Sequence, residues 1–542
     1  MPSAKQIIAR YDKLENETER SNFKTIWQDA TDYVHIRRNE IITIKQRGSQ
    51  RSEKVFDSTA VRSNDLLASS LQGALTSNSA LWAKIKIAGN EFEDDDEVKA
   101  WLDGTATSMF RAFNDSNYML EVSEFFLDLP SICTANVLIE EGDIERRGFN
   151  GLNFRAYPIM DYVIEENYKG IVDTVIRKCM YTARQAKQKF GDKAGKKVLQ
   201  AMAKNEEQEF PYLHLVMPIK EYGAGGFANP RWKFTDIYIS VEDEVITFKK
   251  GYFEFPYVIA RWAKASGEKY GRGPTNNALP DIKTLNASRS YMLQAWAKDI
   301  NPSRLVPESL GFTIKDVPGT NIPVPERMIE AIQKGALRSE AKWEVSIQMV
   351  EDLKQSIKEA YFTDQLQLLK QAQMTATESA IRFDLMQRLL GPVFGRIEKS
   401  VFTPMVERVF GIMLRAGAFD DVPEQLQGRE LEIEYVGPLA RSQKMGEFNA
   451  IQRWFEALIP MAQVQPEILD VPDFDEITRD LGTLVGVKEK YMKPKDDVRA
   501  IRDARAEQAE DQQTTEEAVA GAEVLEKVTK AIGTGGNGQA RT

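Results

Sequence analysis

Histidine and cysteine are scarce, with two of each in 542 residues. His35 and His214 cannot build a His-rich metal site, and no CxxC or HExxH spacing occurs, so zinc chemistry is excluded. Cys133 and Cys179 lie far apart in the chain, and a reducing interior would leave them as small buried apolar groups rather than a disulfide. A Ser/His/Asp constellation is implausible, because His35 falls in an N-terminal helical segment and His214 in a strand. No GxxxxGK followed by Ser or Thr occurs, so a nucleotide phosphate loop is not expected, and no cofactor is expected either. No window of eighteen apolar residues is free of charge: even Val401 to Phe419 contains Glu407, Arg408 and Arg415, which argues against a membrane span. The opening MPSAKQIIARYDKLENETER is charged throughout and has no signal-peptide core, so export by a cleaved signal is not expected. Concentrated positive charge is missing as well. A net charge of -10 argues against a protein that grips nucleic acid over its whole surface, though not against one that surrounds DNA.

What is present is a globular composition, 42% hydrophobic and 28% charged, long enough to bury a large core and divide into several domains. Residues 5 to 85 read as helical, from Ile7, Ile8, Tyr11 and Leu14 and again from Leu66, Leu67, Leu71 and Leu75, followed by a short strand in LWAKIKI. The acidic run Glu93 to Glu97 lacks the glycine of a calcium loop and suits the positive end of the helix VKAWLDGTATSMFRAF. From Asn153 to Trp262 strands dominate, interrupted by the helix ARQAKQKFG.

Helix returns at Pro274. Ile282, Leu285, Met292, Trp296 and Ile300 fall on one face, with Arg289 where a leucine would be expected, which suggests a wet interface or a lumen. The prolines and glycines of Asn301 to Ile347 forbid a long regular element there, and a second helix is expected from Gln348 to Lys370. The two helices bracket a compact insertion. Its six cations, Arg304, Lys315, Arg327, Lys334, Arg338 and Lys342, are balanced by six acids, which suits docking between proteins better than capture of nucleic acid. Thr375 to Glu378 is a capping box that opens a long helix through Ile381, Leu385, Leu389, Val393, Ile397, Val401, Met405 and Val409, bent or broken by Pro392 and Pro404. A strand in ELEIEYVGPLA and further helices from Ser442 to about Leu484 follow, and the chain ends in a tail rich in Gly.

The glycines of GEKYGRGPTNNALPDIKTLN, Gly267, Gly271 and Gly273, do not follow GxGxxG, and Pro274 after them fits a sharp turn into a helix better than a phosphate cradle. Glu268 with Asp281, or Asp364 with Glu378, are imaginable acid/base pairs, yet charged or capping neighbours account for each without catalysis.

Five stretches in this order resemble the portal, or head-to-tail connector, proteins of short-tailed double-stranded DNA bacteriophages. They are SNYMLEVSEFFLDLPSICTANVLIEEG (116 to 142), YTARQAKQKFG (181 to 191), FPYVIARWAKASGEKYGRGPTNNALPDIKTLN (255 to 286), IKEAYFTDQL (357 to 366) and MTATESAIRFDLMQRLLGPVFGRIEKSVFTPMVERVF (374 to 410). The chain departs from that pattern in SICTANVLIE, where relatives tend to place a glycine before the small residues.

The resemblance implies a mixed α+β multidomain portal fold without catalytic activity, assembled as a homo-oligomeric ring of twelve at one capsid vertex. Residues 1 to 273 would form a wing of N-terminal helices and a β-rich module, 274 to 300 and 348 to 370 the two stem helices, and 301 to 347 a clip. A tunnel loop would occupy 371 to 377, a long wing helix and return strand 378 to 440, and a helical crown with its tail 441 to 542. Channel contacts would come from Gln371, Gln373, Met374, Thr375 and Thr377, and intersubunit contacts from Lys269, Arg272, Lys283 and Arg289. Arg304, Lys315, Arg327, Lys334 and Arg338 would serve docking of the terminase and then the tail adaptor. The remaining implied partners are double-stranded DNA held weakly in the channel and the major capsid and scaffolding proteins, with no membrane; the protein would reside in the virion and, during assembly, in the host cytoplasm. Another head-tail ring protein, or a phage DNA-processing enzyme, is the alternative reading.

Overall fold

The structure is a computed structural model, and it describes residues 2–38, 40–43, 48–76, 81–87, 95–142, 149–223, 225–301, 303–307, 321–325, 336–337, 343–363, 390–426, 431–435, 438–462, 465–485, 491–493, 497–506 and 508. The chain is mixed α+β and falls into two compact units, one holding almost all of residues 1–439 and the other Asp94–Asp96 with 440–542.

Helices α1 (Ala4–Glu15), α2 (Thr18–Tyr33) and α3 (Thr59–Leu75) lead into strand β1 (Ala83–Ile87) and helices α4 (Asp96–Asp115) and α5 (Tyr118–Ser131). Helix α1 starts as its sequence directs: the Ser3 hydroxyl accepts from the Gln6 N–H and the Gln6 side chain accepts from the Ser3 N–H. The stretch between α2 and α3 departs from the helical reading of residues 5 to 85, its one described regular piece being a 3-10 turn, Ile36–Arg38. There the Gln28 side-chain oxygen accepts from the N–H groups of Ile42 and Thr43, bonds that a helix would have spent internally.

The strands β2 (Thr134–Glu141), β3 (Leu152–Ala156), β4 (Tyr162–Glu166) and β5 (Val172–Thr182) precede helices α6 (Ala183–Phe190) and α7 (Lys196–Met202). Strand β6 (Glu209–Val216), the single turn α8 (Ile219–Tyr222), and strands β7 (Phe234–Ser240), β8 (Val245–Tyr252) and β9 (Tyr257–Arg261) complete the β-rich region. An antiparallel sheet runs in the order β4-β5-β6-β7-β8, and a second in the order β3-β2-β9. Alternation sorts the larger sheet's side chains. Ile176, Leu213, Leu215, Ile237 and Ile239 meet α1 on one face, and Tyr212 and Tyr238 meet α6 and α7 on the other.

Short strands β10 (Ala263–Lys264) and β11 (Gly271–Arg272) lead into α9 (Pro274–Ile300). The insertion contributes β12 (Ser303–Pro307), which pairs in parallel with β13 (Asn321–Val324) and antiparallel with β14 (Ala336–Leu337). Helix α10 (Trp343–Ala360) returns along α9. It breaks at Tyr361 and Phe362, the latter with a left-handed φ of 58°, and Thr363 is helical again; the rest of the helix expected to Lys370, residues 364–370, lies outside the described residues. The reason is tertiary. The Tyr361 ring is drawn into the core, and the Thr363 hydroxyl donates to the Lys358 carbonyl, closing the helix end.

From 390, where the described residues resume, the chain is helical and widens to a π turn at Glu398–Phe402, where the Thr403 N–H reaches back to the Glu398 carbonyl, before α11 (Thr403–Arg415). Pro404, which has no N–H to give, is accommodated by this widened turn, so the expected disturbance of the long helix takes the form of a π bulge. Strand β15 (Leu431–Tyr435) pairs with β1, and α12 (Pro438–Ala462) and α13 (Phe474–Val485) follow. The main core joins α3, α5, β2, the first half of α9, the last half of α10 and residues 390–413.

Candidate functional site at the root of the long hairpin

The turn from β11 into α9 is built by close contact. Pro274 at the first helical position sacrifices no hydrogen bond and brings a φ already suited to a helix. The Gly271 N–H donates to Thr134 Oγ1 at 2.9 Å, and its backbone lies so near the Cys133 carbonyl that a Cβ would overlap the oxygen. A Cβ on Gly273 would stand 2.9 Å from both the Cys133 sulfur and the Trp262 ring. These glycines therefore let one segment lie against another, which settles the phosphate-cradle question in favour of architecture. Cys133 itself takes a left-handed φ of 65°, which directs its carbonyl to the Trp262 N–H at 3.0 Å. This is the turn within SICTANVLIE, made here by a residue with a side chain. The thiol lies 2.9 Å from Asn276 Oδ1, and burial pushes its pKa up to about 12.

Two polar contacts clamp the hairpin's root. The hydroxyls of Thr275 and Tyr361 meet at 2.6 Å, both buried, and Thr275 also donates to the Pro130 carbonyl at 2.8 Å. Further along, Ser356 Oγ donates to Asp281 at 2.6 Å. Six residues forward on α9 match five backward on α10, so the helices are antiparallel and in register.

The four cations expected at subunit contacts all have partners within the chain. Lys269 Nζ donates to Glu17 at 2.7 Å, and its N–H to Glu19 at 2.6 Å. Burial opposes the Lys269 charge, but the Glu17 carboxylate outweighs it and holds the ammonium above its ordinary pKa. Arg272 grips Glu268 with two bonds of 2.6 and 2.7 Å, which depresses the Glu268 pKa, and its guanidinium lies 5.0 Å from the Phe23 ring. Lys283 pairs with Asp29, and Arg289 Nε with Asp57 Oδ2 at 3.3 Å. Three of these four pairs fasten the N-terminal segment to this region, Lys269 ahead of α9 and Lys283 and Arg289 along it. The sequence carried no signal for this seam beyond acids scattered through α2 and before α3.

Sequence reasoning also missed a buried relay in the larger sheet. His214 lies between Tyr257 OH, 2.7 Å from Nδ1, and Asp236 Oδ1, 3.2 Å from Nε2, and stacks on Tyr238 at 4.3 Å. Arg177 Nε donates to the same Tyr257 oxygen at 3.1 Å. Burial lowers the His214 pKa and raises those of Tyr257 and Tyr238 well above the ordinary tyrosine value, so the group rests as neutral imidazole and phenols. With His214 wholly enclosed, the relay joins strands β5, β6, β7 and β9 rather than facing a substrate. The two carboxylates weighed for acid/base work, Glu268 and Asp281, are engaged by Arg272 and Ser356. Among the described residues no three His, Cys, Asp or Glu side chains stand together to hold a metal ion, and no helix is long and apolar enough to cross a membrane.

Of the residues expected in the insertion, Arg304 lies in β12 opposite Asn321 and Ala336. Lys315, Arg327, Lys334 and Arg338 lie outside the described residues, as do Asp364, Gln371, Gln373, Met374, Thr375, Thr377 and Glu378.

The described chain is an α+β body that roots a clamped antiparallel helical hairpin, with Lys269, Arg272, Lys283 and Arg289 paired within the chain. The chain matches the family described as bacteriophage head to tail connecting protein over residues 4–492, and it belongs to that family. It is 25% identical over 519 residues to the portal protein of Salmonella phage epsilon15, covering 93% of this chain and 91% of the relative. It is 26% identical over 520 residues to the probable portal protein of Bordetella phage BPP-1, with the same coverage of both chains. The function is that of a phage portal, in a family that is structural rather than enzymatic.

Proposed function

We propose that twelve copies form a ring at one capsid vertex, through which double-stranded DNA is driven during packaging and leaves during ejection. The observation that carries this reading is the hairpin: α9 and α10 are locked antiparallel at their root by Thr275–Tyr361 and Asp281–Ser356, and the insertion between them pairs its described strands with one another. That is the layout of a stem bearing a clip. In this reading 1–273 is the wing, residues 301–347 dock first the terminase and then the tail adaptor, 371–377 narrow the channel, 378–440 return through the wing, and 441–542 form the crown. Capsid and scaffolding proteins surround the ring, which assembles in the host cytoplasm and ends in the virion.

The mechanism is geometric. The net charge of -10 disfavours tight binding of phosphate, and the wing-to-stem cations Lys269, Arg272, Lys283 and Arg289 are already paired. DNA slides best past a wall that binds it weakly. Electron microscopy of the purified protein tests the reading: rings with a central hole are expected, and compact monomers at high concentration would overturn it. Deleting 371–376 is expected to leave rings intact but impair packaging or retention of DNA.

A further inference from the structure

Positive charge, which the whole-chain balance makes look dispersed, is concentrated in one place. Residues 183 to 204, folded as α6, a 3-10 turn (Gly191–Lys193) and α7, carry seven cations against one acid, Asp192, in a chain whose net charge is -10. Helical spacing turns them outward. Ala183, Ala186, Phe190, Val198 and Ala201 are buried against Tyr212 and Tyr238 of the larger sheet, which leaves the other side of both helices to the charged residues. Three of the seven are engaged: Lys187 pairs with Asp192, Lys189 lies 4.1 Å from the centre of the Tyr238 ring, and Lys197 donates to the Glu242 carbonyl at 2.9 Å. Arg184, Lys193, Lys196 and Lys204 are exposed and, among the described residues, have no carboxylate within ion-pair distance. The four cations at the root of the long hairpin, by contrast, are all paired. Acids near by do not relieve the excess. Asp243 caps the first turn of α7, Glu244 takes Lys5 at 3.0 Å, and Glu206 and Glu207 bound the patch in the turn beside the start of α6.

We propose that the exposed face of α6 and α7 is a contact for the sugar-phosphate backbone of duplex DNA, separate from the channel. The inference rests on the portal reading, which supplies the DNA, and adds to it a second place of contact. In that reading α6 and α7 belong to the wing, so a chain whose channel lets DNA slide holds it elsewhere. The composition of the face selects a nucleic acid over an acidic protein. Gln188 and Gln200 stand exposed among the cations, and side-chain amides with Lys and Arg are the groups that bond phosphate and sugar oxygens. No large apolar side chain of residues 183–204 is exposed, so a protein partner finds no anchor for the dry centre of an interface. Contacts of this kind read charge rather than sequence and weaken steeply with salt.

The test uses the assembled full-length protein and covalently closed circular duplex DNA, which has no end to enter the channel. Wild type is expected to bind the circles. Arg184→Gln, Lys193→Gln, Lys196→Gln and Lys204→Gln combined should leave rings intact, reduce the slope of log affinity against log salt by about 3 to 4, and weaken binding roughly tenfold or more at about 0.1 M salt. A control with Lys13→Gln, Arg62→Gln, Arg111→Gln and Lys220→Gln removes the same charge from exposed positions elsewhere and should keep the slope within about 1 of wild type. Should the first variant fail to fold, acetylation of the wild type decides: bound circles are expected to protect Lys193, Lys196 and Lys204 and to leave Lys13 and Lys220 reactive. Wild-type rings that do not bind circles, a control that loses as much as the first variant, equal acetylation of all five lysines, or polyglutamate that competes better than DNA of equal charge would overturn the inference while leaving the portal reading intact. A wild-type chain that forms no ring would instead remove the ring reading, and the circles would still report on the α6–α7 face.

Discussion

Arg408, near the middle of α11, is almost wholly buried and donates from Nη1 to Glu254 Oε2 at 2.9 Å. Glu254 lies in the turn between β8 and β9 and also receives Arg415 at 2.8 Å, so one carboxylate ties the β-rich region to the long helix. Removing that carboxylate strands a buried guanidinium. Glu254→Ala is expected to lower stability by about 3–5 kcal/mol, whereas replacing Glu254 and Arg408 together with methionines should cost far less. Chemical denaturation of the variants checks both, and equal losses would show that packing rather than charge governs the joint.

The two cysteines should behave as inert core atoms. Both are buried, and desolvation raises the pKa of each, Cys133 to about 12 and Cys179 by an amount that Arg177 nearby reduces. At pH 8 the folded protein is expected to leave both thiols unmodified by a thiol reagent over a time in which the denatured chain reacts fully. Rapid labelling of either thiol in the folded protein would contradict the burial described.

Much of this architecture is legible in the sequence because its cues are local. Pro274 announces α9, the β-branched and aromatic runs announce the strands of both sheets, and Pro404 announces a disturbed helix. What stayed hidden depends on distant partners. Arg289 on an apolar stripe reads as a sign of a wet interface, whereas its carboxylate partner Asp57 lies 232 residues away in the chain. The end of α10 at Ala360 is decided by where Tyr361 finds Thr275, and His214 joins a relay through residues on two other strands. Periodicity reports which face of a helix is buried and is silent about what buries it.

His214 and Asp161 should give the wild type opposing responses to acid. Burial lowers the His214 pKa, so the unfolded chain takes up a proton near pH 6.5 that the folded protein refuses. Stability from this site is full above pH 6.5 and falls by up to ~1.4 kcal/mol per pH unit below it. Burial raises Asp161 from 3.8 to about 6, against the pull of Arg177 and other arginines, so this group weakens the fold above pH 6 and the penalty fades toward pH 4. Asp161→Asn is therefore expected to be more stable than wild type by roughly 2 kcal/mol at pH 8 and equal to it at pH 4. His214→Gln should flatten the loss below pH 6.5. Thermal melts from pH 4 to 8 separate the two, and an Asp161→Asn gain that grew toward acid would refute the assignment.

The contact between Gly271 and Cys133 makes the sharpest demand on the chain. A methyl group at Gly271 must displace the Cys133 carbonyl, which is itself held by the Trp262 N–H, so the strain has no flexible side chain to absorb it. Gly271→Ala is expected to cost about 3 kcal/mol or more, at the upper end of overpacking penalties. Gly267, four residues earlier, has a left-handed φ of 81° but open space around it, so Gly267→Ala should cost only about 1 kcal/mol of backbone strain. Cys133→Gly removes a strained left-handed backbone and also a buried thiol, and the two effects should leave it within about 1 kcal/mol of wild type. The order Gly271→Ala far below Gly267→Ala, with Cys133→Gly near wild type, is read from melting temperatures. If Gly271→Ala melted with the wild type, the turn into α9 would not depend on this close approach.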